Sequence, residues 1–454
     1  MTKRNYRLYY IKVNYAQFLQ SDLSKGLTND QLKVFREFLD TRNNIYIGGG
    51  AGVGKSFVVK RLSQLCDELG ILLHKTASTG VAALNIQAQT LHSFMGLGIG
   101  NETGELLFKK VRKNKKAVQR IKSCRYLLID EVSMISGELL DKVYSIFEHF
   151  GRIPRVILIS DALQLPPIFK EDSLYAFESQ AWKKINPSPV ILTEIVRQCK
   201  DTEFAQFLQK IRVGDKSELS FLEPLMITEN EIPKGSVVCY SKNIDVDDHN
   251  NAELMNILGE SRKYYAEDNG FEPHLSNLRK NCMAPEVLTL KVSAQVVLLK
   301  NLSDELVNGS IGVVTKIEPN QVTVDFDGIQ EVLTKETWKI EENFLNENGK
   351  IKTKTLASRE QIPLRLAWAA TIHRTQGLTL DKIAVDLRGC FATGQAYVAL
   401  SRAKSRDGLR IIGFSPNSIK TCPRCIEFYK NLFHLEEFAV EMSSISIQKR
   451  YGDS

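Results

Sequence analysis

The sequence predicts an α/β fold built on parallel strands, and three features of the chain support this prediction. A short apolar run, Ile45 to Ile47, leads into a glycine-rich loop and then into an amphipathic segment. Two further apolar runs end in acidic residues, at Asp130 and at Asp161. Strands buried on both faces are continuous apolar runs, and open α/β sheets bind ligands at the carboxyl ends of their strands. We therefore expect a buried sheet with a ligand site at one edge.

Length and composition set the limits of this prediction. A chain of 454 residues exceeds a single core, so we expect roughly two to four domains. The net charge of +7 favours an anionic partner without reaching the excess of a nucleic-acid packaging protein. No apolar run approaches the ~18 residues that a membrane span needs, and the first residues lack the apolar core of a signal peptide. These features predict an intracellular protein.

Eight cysteines are spread along the chain, and only Cys422 and Cys425 stand in a C-x-x-C spacing. One such pair, in a chain with 7 histidines, is weak evidence for a zinc site. We expect reduced thiols in a reducing compartment.

The segment LTNDQLKVFREFL, which begins at Leu27, is predicted to be a helix with Thr28 or Asn29 as its N-cap. Gln31 precedes the glycine-rich loop, where an amide can contact an adenine edge with its donor and acceptor together. On its own, Gln31 would be a surface glutamine.

The glycine-rich loop has the spacing G-x-x-x-x-G-K-[ST]. The residues expected to contact nucleotide are Gly49, Gly50, Ala51, Gly52, Val53, Gly54, Lys55, Ser56 and Phe57. Glycines bring backbone N–H groups up to phosphate oxygens, and a helix that starts at Ser56 directs its positive end at the same anion. Lys55 can reach the β and γ phosphates, and the Ser56 hydroxyl can join a Mg²⁺ shell. A chance glycine-rich turn is the alternative, but the flanking strand and helix favour binding of a nucleoside triphosphate.

A second strand is predicted at ILLHKT, residues 71 to 76, and small residues that include Thr79 and Gly80 follow it. Further on, the segment Thr90 to Phe94 brings polar and aromatic groups, among them His92, near the same edge. The N-terminal turn of a helix would explain these residues without a ligand.

The densest basic run, KKVRKNKK, occupies residues 109 to 116. A solvated helix face is the default interpretation, and a strip that follows phosphates or a localisation signal are the alternatives.

The run RYLLIDEVSM predicts a buried strand that carries Asp130 and Glu131 to the ligand edge. Asp130 can hold Mg²⁺ through water, and Glu131 can orient and deprotonate an attacking water. Together with the glycine-rich loop, this acidic pair predicts a hydrolase.

A third strand, RVILIS, leads into Asp161 and then to Gln164, a candidate contact for the γ phosphate. The run LTEIVRQ supplies Arg197, which can neutralise charge that develops in phosphoryl transfer. A surface ion pair is the alternative for Arg197.

The order of these motifs, followed by FESQAW, LAWAATIHRTQGLTL and GQAYVALSR, resembles the PIF (petite integration frequency) family of superfamily 1B DNA helicases. It is similar also to the Dda and RecD branches, and the resemblance extends from about Leu27 to Gly413. It implies translocation from 5′ to 3′ on single-stranded DNA, driven by ATP and Mg²⁺, with unwinding of forked or tailed duplex DNA. It also implies roles in DNA replication, repair, recombination and telomere maintenance.

The resemblance implies two RecA-like P-loop domains in tandem. The expected parts are a first domain at 1–198 with a wedge insertion at about 92–116, a second domain at 199–287 and 361–415, a small β-barrel insertion of Src-homology-3 type at 288–360, and a helical tail at 416–454. Short β-rich runs broken by Asn308–Gly309 and Asp327–Gly328 agree with the barrel.

The resemblance also implies roles for single residues. Arg402, at the end of GQAYVALSR, matches a second arginine finger, and Gly377 matches a nucleotide-cleft residue. The implied DNA-binding residues are Thr79, Gly80, His92, Asn243, Thr371 and His373. Ser160 and Ser293 stand where the family usually has glycine, and Arg374 stands where lysine is commoner.

Two other functions fit part of the sequence. A nucleotide-dependent kinase or hexameric ATPase would hold one motor half and take its arginine from a neighbour, whereas Arg197 and Arg402 lie in one chain. A P-loop ATPase subunit of a recombination or packaging complex could bind DNA without unwinding it. A non-catalytic DNA-binding subunit of such a complex would lack catalytic residues, yet the expected set is present: Lys55, Asp130, Glu131, Gln164, Arg197 and Arg402. We therefore expect a monomeric DNA helicase with no membrane partner.

Overall fold

In the computed structural model, the chain forms two compact units. Unit 1 holds residues 1–218, 392–405 and 419–454, and unit 2 holds residues 219–391 and 406–418. The residues that the structure describes are 13–79, 82–83, 86, 88–98, 103–167, 173–198, 200–233, 236–272, 274–282, 284–300, 302–303, 306, 310–326, 328–345, 351–375, 380 and 382–432.

Helices and strands alternate along much of the chain. The α-helices are α1 (Tyr15–Phe18), α2 (Asn29–Asp40), α3 (Lys55–Glu68), α4 (Leu91–Met95), α5 (Gly104–Lys113), α6 (Lys115–Ser123), α7 (Gly137–His149), α8 (Gln180–Ile185), α9 (Thr202–Val213), α10 (Asn243–Asn256), α11 (His274–Asn281), α12 (Ile372–Thr375), α13 (Gln395–Leu400) and α14 (Pro423–Leu432). The strands are β1 (Ile45–Gly49), β2 (Leu73–Ala77), β3 (Gln89–Thr90), β4 (Tyr126–Asp130), β5 (Arg155–Ser160), β6 (Ser188–Leu192), β7 (Val237–Tyr240), β8 (Arg262–Tyr265), β9 (Glu267–Gly270), β10 (Val287–Leu290), β11 (Gln295–Leu298), β12 (Ile311–Ile317), β13 (Val322–Phe326), β14 (Ile329–Leu333), β15 (Glu336–Leu345), β16 (Ile351–Gln361), β17 (Leu364–Leu366), β18 (Ala369–Thr371), β19 (Ile383–Asp386) and β20 (Leu409–Gly413).

Unit 1 is built on a six-stranded parallel sheet in the order β3-β2-β4-β5-β1-β6. Strand β1 lies between β5 and β6, and all five of its residues are buried. Alternate strand residues pack into two different core clusters, with Ile45 and Ile47 in one and Tyr46 in the other. This alternation is the period-2 pattern of a sheet buried on both faces. The α/β fold predicted from the apolar runs is therefore confirmed.

The helices before and after β1 begin close to their predicted positions. Thr28 caps α2 and forms a capping box with Gln31, since each side chain accepts a backbone N–H of the other residue. Helix α3 begins one residue before the predicted Ser56, and Leu62 on its inner face is buried. The loop between β1 and α3 is thus fixed at both ends by packed elements.

Unit 2 contains a four-stranded parallel sheet in the order β18-β7-β19-β20. Most of the region predicted as the barrel insertion forms strands of two further sheets. One is a five-stranded antiparallel sheet in the order β14-β13-β12-β11-β17, and the other is a three-stranded sheet in the order β15-β16-β9. The β-rich character predicted there is confirmed, and its Src-homology-3 type stays a prediction. Ser293, just before β11, has a positive φ of 73°, which explains why glycine is usual at that position.

After β7 the chain enters α10 at Asn243. One detail of the second half differs from the sequence-based picture. The segment 392–405 groups with unit 1 because α13 packs against α9 of that unit, whereas the sequence placed it in the second domain. The domain boundaries themselves stay a prediction.

Helices α4 to α6 cover the segment expected to form the wedge. They carry an amphipathic pattern in which Phe94, Leu107 and Val111 are buried, while the basic residues of the 109–116 run lie at or near the surface. Of the helices in the described ranges, none has the length and apolar character needed to cross a membrane.

Candidate active site

The glycine-rich loop connects β1 to α3 at the carboxyl edge of the unit 1 sheet. Gly49 has a φ of 147°, and a Cβ there would lie 2.5 Å from the Leu192 carbonyl oxygen, so only glycine fits. Gly54, with a φ of 85°, is the N-cap of α3. The Lys55 Nζ donates hydrogen bonds of 2.8 Å to the carbonyl oxygens of Gly49 and Gly50. The loop therefore folds around the lysine head group.

Gln31 lies against this loop. Its side-chain amide donates to the Val53 carbonyl oxygen at 3.0 Å, and its carbonyl oxygen accepts the Thr28 N–H at 3.1 Å. Only 1% of the side chain is exposed, so the alternative of an ordinary surface glutamine is wrong. Its contact with adenine stays a prediction.

The acidic pair lies at the end of β4, and both side chains are buried. Glu131 adopts a left-handed backbone conformation, with φ 53° and ψ 45°, which is strained for a residue with a side chain. Its N–H donates to the Asp130 Oδ1 at 2.9 Å. The turn thus holds two carboxylates side by side at the edge where the glycine-rich loop begins.

Burial dominates the electrostatics of this pair. Burial, and then the charge of Glu131, raise the pKa of Asp130 to about 7. Burial also lowers the pKa of Lys55, and the carboxylates of Asp161, Glu131 and Asp130 oppose that effect. One lysine and three carboxylates therefore interact in a single desolvated site.

Asp161 follows β5 and is held by a dense set of donors. The Arg212 guanidinium reaches both carboxylate oxygens, Gln164 donates through its amide at 3.3 Å, and the Tyr429 hydroxyl donates at 3.1 Å. Burial raises the pKa of Asp161, but the charge and hydrogen bonds of Arg212 outweigh it and hold the pKa below its ordinary value. Gln164, the predicted phosphate contact, is buried beside this ion pair.

The two predicted arginine fingers lie close together in unit 1. The Arg197 guanidinium donates to the Ser401 carbonyl oxygen at 2.9 Å, and the next residue in that segment is Arg402. Burial, and then the positive charge of Arg402, lower the pKa of Arg197 to about 10. Arg402 itself is buried and donates to the Val398 carbonyl oxygen at 2.8 Å. Two neighbouring guanidinium groups form a local excess of positive charge that suits an anionic ligand.

Tyr397 is a site residue that sequence reasoning missed. Its hydroxyl accepts the N–H of Ala51, in the middle of the glycine-rich loop, at 2.7 Å. Gly394 makes this approach possible, because it has a φ of 71° and a Cβ there would lie 2.4 Å from the Gln164 carbonyl oxygen. Arg212 was missed as well, because it belongs to no motif. Tyr397, by contrast, lies inside the motif GQAYVALSR, which could have identified it.

The remaining nucleotide and metal residues suit a magnesium–triphosphate complex. Ser56 is exposed in the first turn of α3, and Phe57 is half-buried with the Arg61 guanidinium 5.2 Å from its ring centre. Within the described part of the chain, no three His, Cys, Asp or Glu side chains converge as a metal site. Mg²⁺ is commonly bound by one or two protein groups together with phosphate oxygens and water. The Ser56 hydroxyl and the Asp130 carboxylate stay the predicted protein groups for Mg²⁺.

The structure describes only some of the residues that are predicted to contact DNA. The Thr79 hydroxyl accepts the Ala82 N–H at 3.2 Å, which is the helix N-terminal turn that the sequence left as the alternative. His92 is half-buried on α4, where burial, and then the charge of Lys142, lower its pKa. Thr371 ends β18 in unit 2 and is buried. Gly80 and Gly377, and the side chains of Asn243 and His373, lie outside the described residues.

Comparison with known proteins gives matches along most of the chain. A model of the PIF1-like helicase family matches residues 26–220, and a model of the 2B domain of DNA helicase Pif1 matches residues 274–317. The chain is 31% identical to the ATP-dependent DNA helicase RRM3 of Saccharomyces cerevisiae, with 89% of this chain and 68% of that protein covered. The chain belongs to the PIF1-like helicase family.

Solved structures of the family agree with the fold. The crystal structure of Pif1 helicase from Candida albicans is 36% identical and matches with a TM-score of 0.82, over 90% of this chain and 99% of the other. The structure of Pif1 helicase from Bacteroides in complex with ADP-AlF3 and single-stranded DNA is 28% identical and matches with a TM-score of 0.73, over 90% and 98% of the two chains. The predicted tandem RecA-like fold is thereby confirmed. The chain spans 56% to 64% of the length of the first five curated relatives that it matches.

Proposed function

We propose that this protein is an ATP-dependent DNA helicase that moves from 5′ to 3′ on single-stranded DNA and separates duplex DNA ahead of it. The observation that carries the proposal is the assembly in unit 1 of three parts: the glycine-rich loop, the buried acidic pair and the two neighbouring arginines. Membership of the PIF1-like family supports the same activity.

Each part has a role in phosphoryl transfer. The loop N–H groups and Lys55 bind the phosphates, and the Ser56 hydroxyl and the Asp130 carboxylate would hold Mg²⁺, which would neutralise phosphate charge. Glu131 orients a water molecule and accepts its proton. Arg197 and Arg402 stabilise charge on the transferred group, and ligand binding removes the mutual repulsion of their guanidinium groups.

Tyr397 connects two of these parts. Its hydroxyl holds the Ala51 N–H, a group that a phosphate oxygen would take, so phosphate binding exchanges one hydrogen bond for a charge-assisted one. The arginine-bearing segment 392–405 therefore responds to phosphate through Tyr397 as well as through Arg402.

Single-stranded DNA and tailed or forked duplexes are the proposed partners, and the protein acts as a monomer. Separating a DNA duplex costs ~1.4 kcal/mol per base-pair step in stacking, so strand separation must be linked to hydrolysis. Helices α4 to α6 are the proposed element that splits the strands. Thr79, Gly80, His92, Asn243, Thr371 and His373 are the proposed DNA contacts.

The test of this proposal is the rate of ATP hydrolysis with and without single-stranded DNA. We expect strong stimulation by an oligonucleotide, and weaker DNA binding as salt increases, because phosphate contacts release counterions. An unchanged rate at saturating oligonucleotide would contradict a DNA-driven motor. It would favour a P-loop ATPase with another partner.

A further inference from the structure

Two cysteines that the proposed helicase activity does not use lie at the start of α14. The sequence Cys422-Pro423-Arg424-Cys425 places Cys422 just before the helix and Cys425 in its first turn, and both thiols are free. Cys425 is 1% exposed, whereas Cys422 is half-buried. An open groove lined in part by Pro423 and Arg424, the two residues between the cysteines, runs beside this turn. Cys425 is therefore sheltered, whereas Cys422 is partly exposed.

The surroundings favour a thiolate at Cys422. The Tyr175 hydroxyl donates to the Cys422 Sγ at 3.2 Å, and the Cys425 thiol hydrogen-bonds to the same sulfur. The helix that starts at Pro423 adds its positive end. Through these hydrogen bonds, that from Cys425 first, the pKa of Cys422 falls to about 5 despite its burial. The pKa of Cys425 is raised by the same contact and by burial.

Charged groups near the two cysteines include Arg424, Glu178 and Asp161. The Arg424 guanidinium lies 4.7 Å from the centre of the Tyr175 ring and forms an ion pair with Glu178. Asp161 follows β5, and its negative charge helps to raise the pKa of the Cys425 thiol. Hydrogen bonds to Cys422, rather than these carboxylates, dominate its ionisation.

Other cysteines of unit 1 are different. Cys66 and Cys124 are buried, and burial raises the pKa of each thiol to about 12. In the described ranges, no third metal-binding side chain joins Cys422 and Cys425. The pair is therefore neither an inert buried thiol nor a complete zinc site.

We propose that Cys422 and Cys425 form a reversible dithiol–disulfide pair, with Cys422 as the nucleophile towards small-molecule disulfides. The Cys422 thiolate attacks one sulfur of the disulfide RSSR, forms a mixed disulfide and releases RS⁻. The Cys425 thiol then loses its proton to solvent and attacks the Cys422 sulfur, which releases the second RS⁻. The protein loses two electrons, and RSSR gains them as two thiols.

Alkylation with iodoacetamide measures the nucleophile directly. A thiol with a pKa near 5 is almost fully ionised at about pH 6 but has a lower intrinsic nucleophilicity than an ordinary thiolate. At about pH 6 the two effects together predict that Cys422 is alkylated about tenfold faster than free glutathione. We expect the rate of Cys422, followed by peptide mass spectrometry, to level off above about pH 6. Tyr175→Phe should move this profile to higher pH while the protein stays folded. A Cys422 rate that keeps rising towards pH 8.5, like that of an ordinary thiol, would overturn the proposal.

Oxidised glutathione tests the second step. The intact protein should lose two hydrogen atoms in mass and recover them with dithiothreitol. Cys425→Ser should instead accumulate a glutathione adduct on Cys422. Cys422→Ser should keep Cys425 as a free thiol. The control Cys66→Ser should behave like the unmodified chain. Failure of the adduct to form in Cys425→Ser, or stoichiometric zinc that blocks both thiols of the purified protein, would overturn the proposal.

Discussion

The Arg212 guanidinium donates to both oxygens of the Asp161 carboxylate, with nitrogen–oxygen distances of 2.8 to 3.3 Å, and both side chains are buried. Asp161 follows the strand next to β1, and Arg212 lies on α9, which packs against the helix that carries Tyr397. The pair thus ties the end of β5 to the elements around the glycine-rich loop. Removing either partner would leave a charge in a desolvated site.

The first prediction concerns this ion pair. Arg212→Met should reduce the free energy of unfolding by ~3–5 kcal/mol, because it leaves the Asp161 carboxylate buried without its cation. Urea unfolding at neutral pH measures the loss, with the exposed Arg262→Met as the matched control. Equal stability of the two variants would contradict the structural role of the pair.

The pH dependence of the same variant gives an independent check. Without Arg212, burial should raise the folded-state pKa of Asp161 above its unfolded value. The variant then binds a proton more tightly when folded, so its deficit relative to the unmodified protein should shrink as pH falls from about 7 to about 5. A deficit that grows with acidity would show that another group causes the loss.

Asp130 predicts a pH dependence of nucleotide binding. Its pKa of about 7 means that the folded protein holds a proton there at lower pH, and this proton must leave before the carboxylate can hold Mg²⁺. The affinity for Mg-ATP should therefore fall as pH drops through about 7. Below that pH, the loss of affinity should approach about tenfold for each pH unit. Calorimetric titration measures this, and Asp130→Asn should bind more weakly with little pH dependence.

A surface substitution controls for this measurement. Asp67 is exposed on α3, so Asp67→Asn should keep the affinity and the pH profile of the unmodified protein. An unmodified protein whose affinity is flat between about pH 6 and about pH 8 would contradict the raised pKa of Asp130.

Lys55 and Glu131 should separate binding from chemistry. Lys55→Ala should abolish hydrolysis and weaken nucleotide binding, because the phosphates lose their cation. Glu131→Gln should abolish hydrolysis while nucleotide still binds, because the amide cannot accept the proton of the attacking water. A fluorescent nucleotide measures binding, and phosphate release measures turnover. Normal turnover in Glu131→Gln would remove Glu131 as the base.

Arg197 should act on turnover more than on binding. Arg197→Gln should lower kcat about 10³-fold, because an arginine finger stabilises charge that develops during transfer. Nucleotide affinity should change far less, since Arg402 remains beside the site. Steady-state hydrolysis with saturating single-stranded DNA measures this, with Arg262→Gln as the control. A loss confined to KM would assign Arg197 to ground-state binding.

Local motifs explain why much of unit 1 could be predicted. The glycine-rich loop, its strand and its helix are contiguous in sequence, so β1 and α3 lie within one residue of their expected starts. Strand β5 has the predicted bounds of Arg155 to Ser160. In each case an apolar run and a polar boundary fix the element without reference to distant residues.

Long-range pairings could not be predicted in this way. Arg212 and Asp161 are separated by 51 positions, and neither the spacing nor the helical pattern around Arg212 indicates its partner. The Tyr397 hydroxyl meets Ala51 across 346 positions. The grouping of segment 392–405 with unit 1 depends on the same contacts, which exist only once the sheet and α9 are packed.

The central claim is a motor that moves from 5′ to 3′ on DNA, and duplex unwinding tests it most directly. The measurement compares a duplex with a 5′ single-stranded tail and the same duplex with a 3′ tail, in a gel-based assay with ATP and Mg²⁺. We predict that only the 5′-tailed duplex is separated, and that Glu131→Gln separates neither. Separation of the 3′-tailed duplex alone, or of neither duplex by an active ATPase, would contradict the claim.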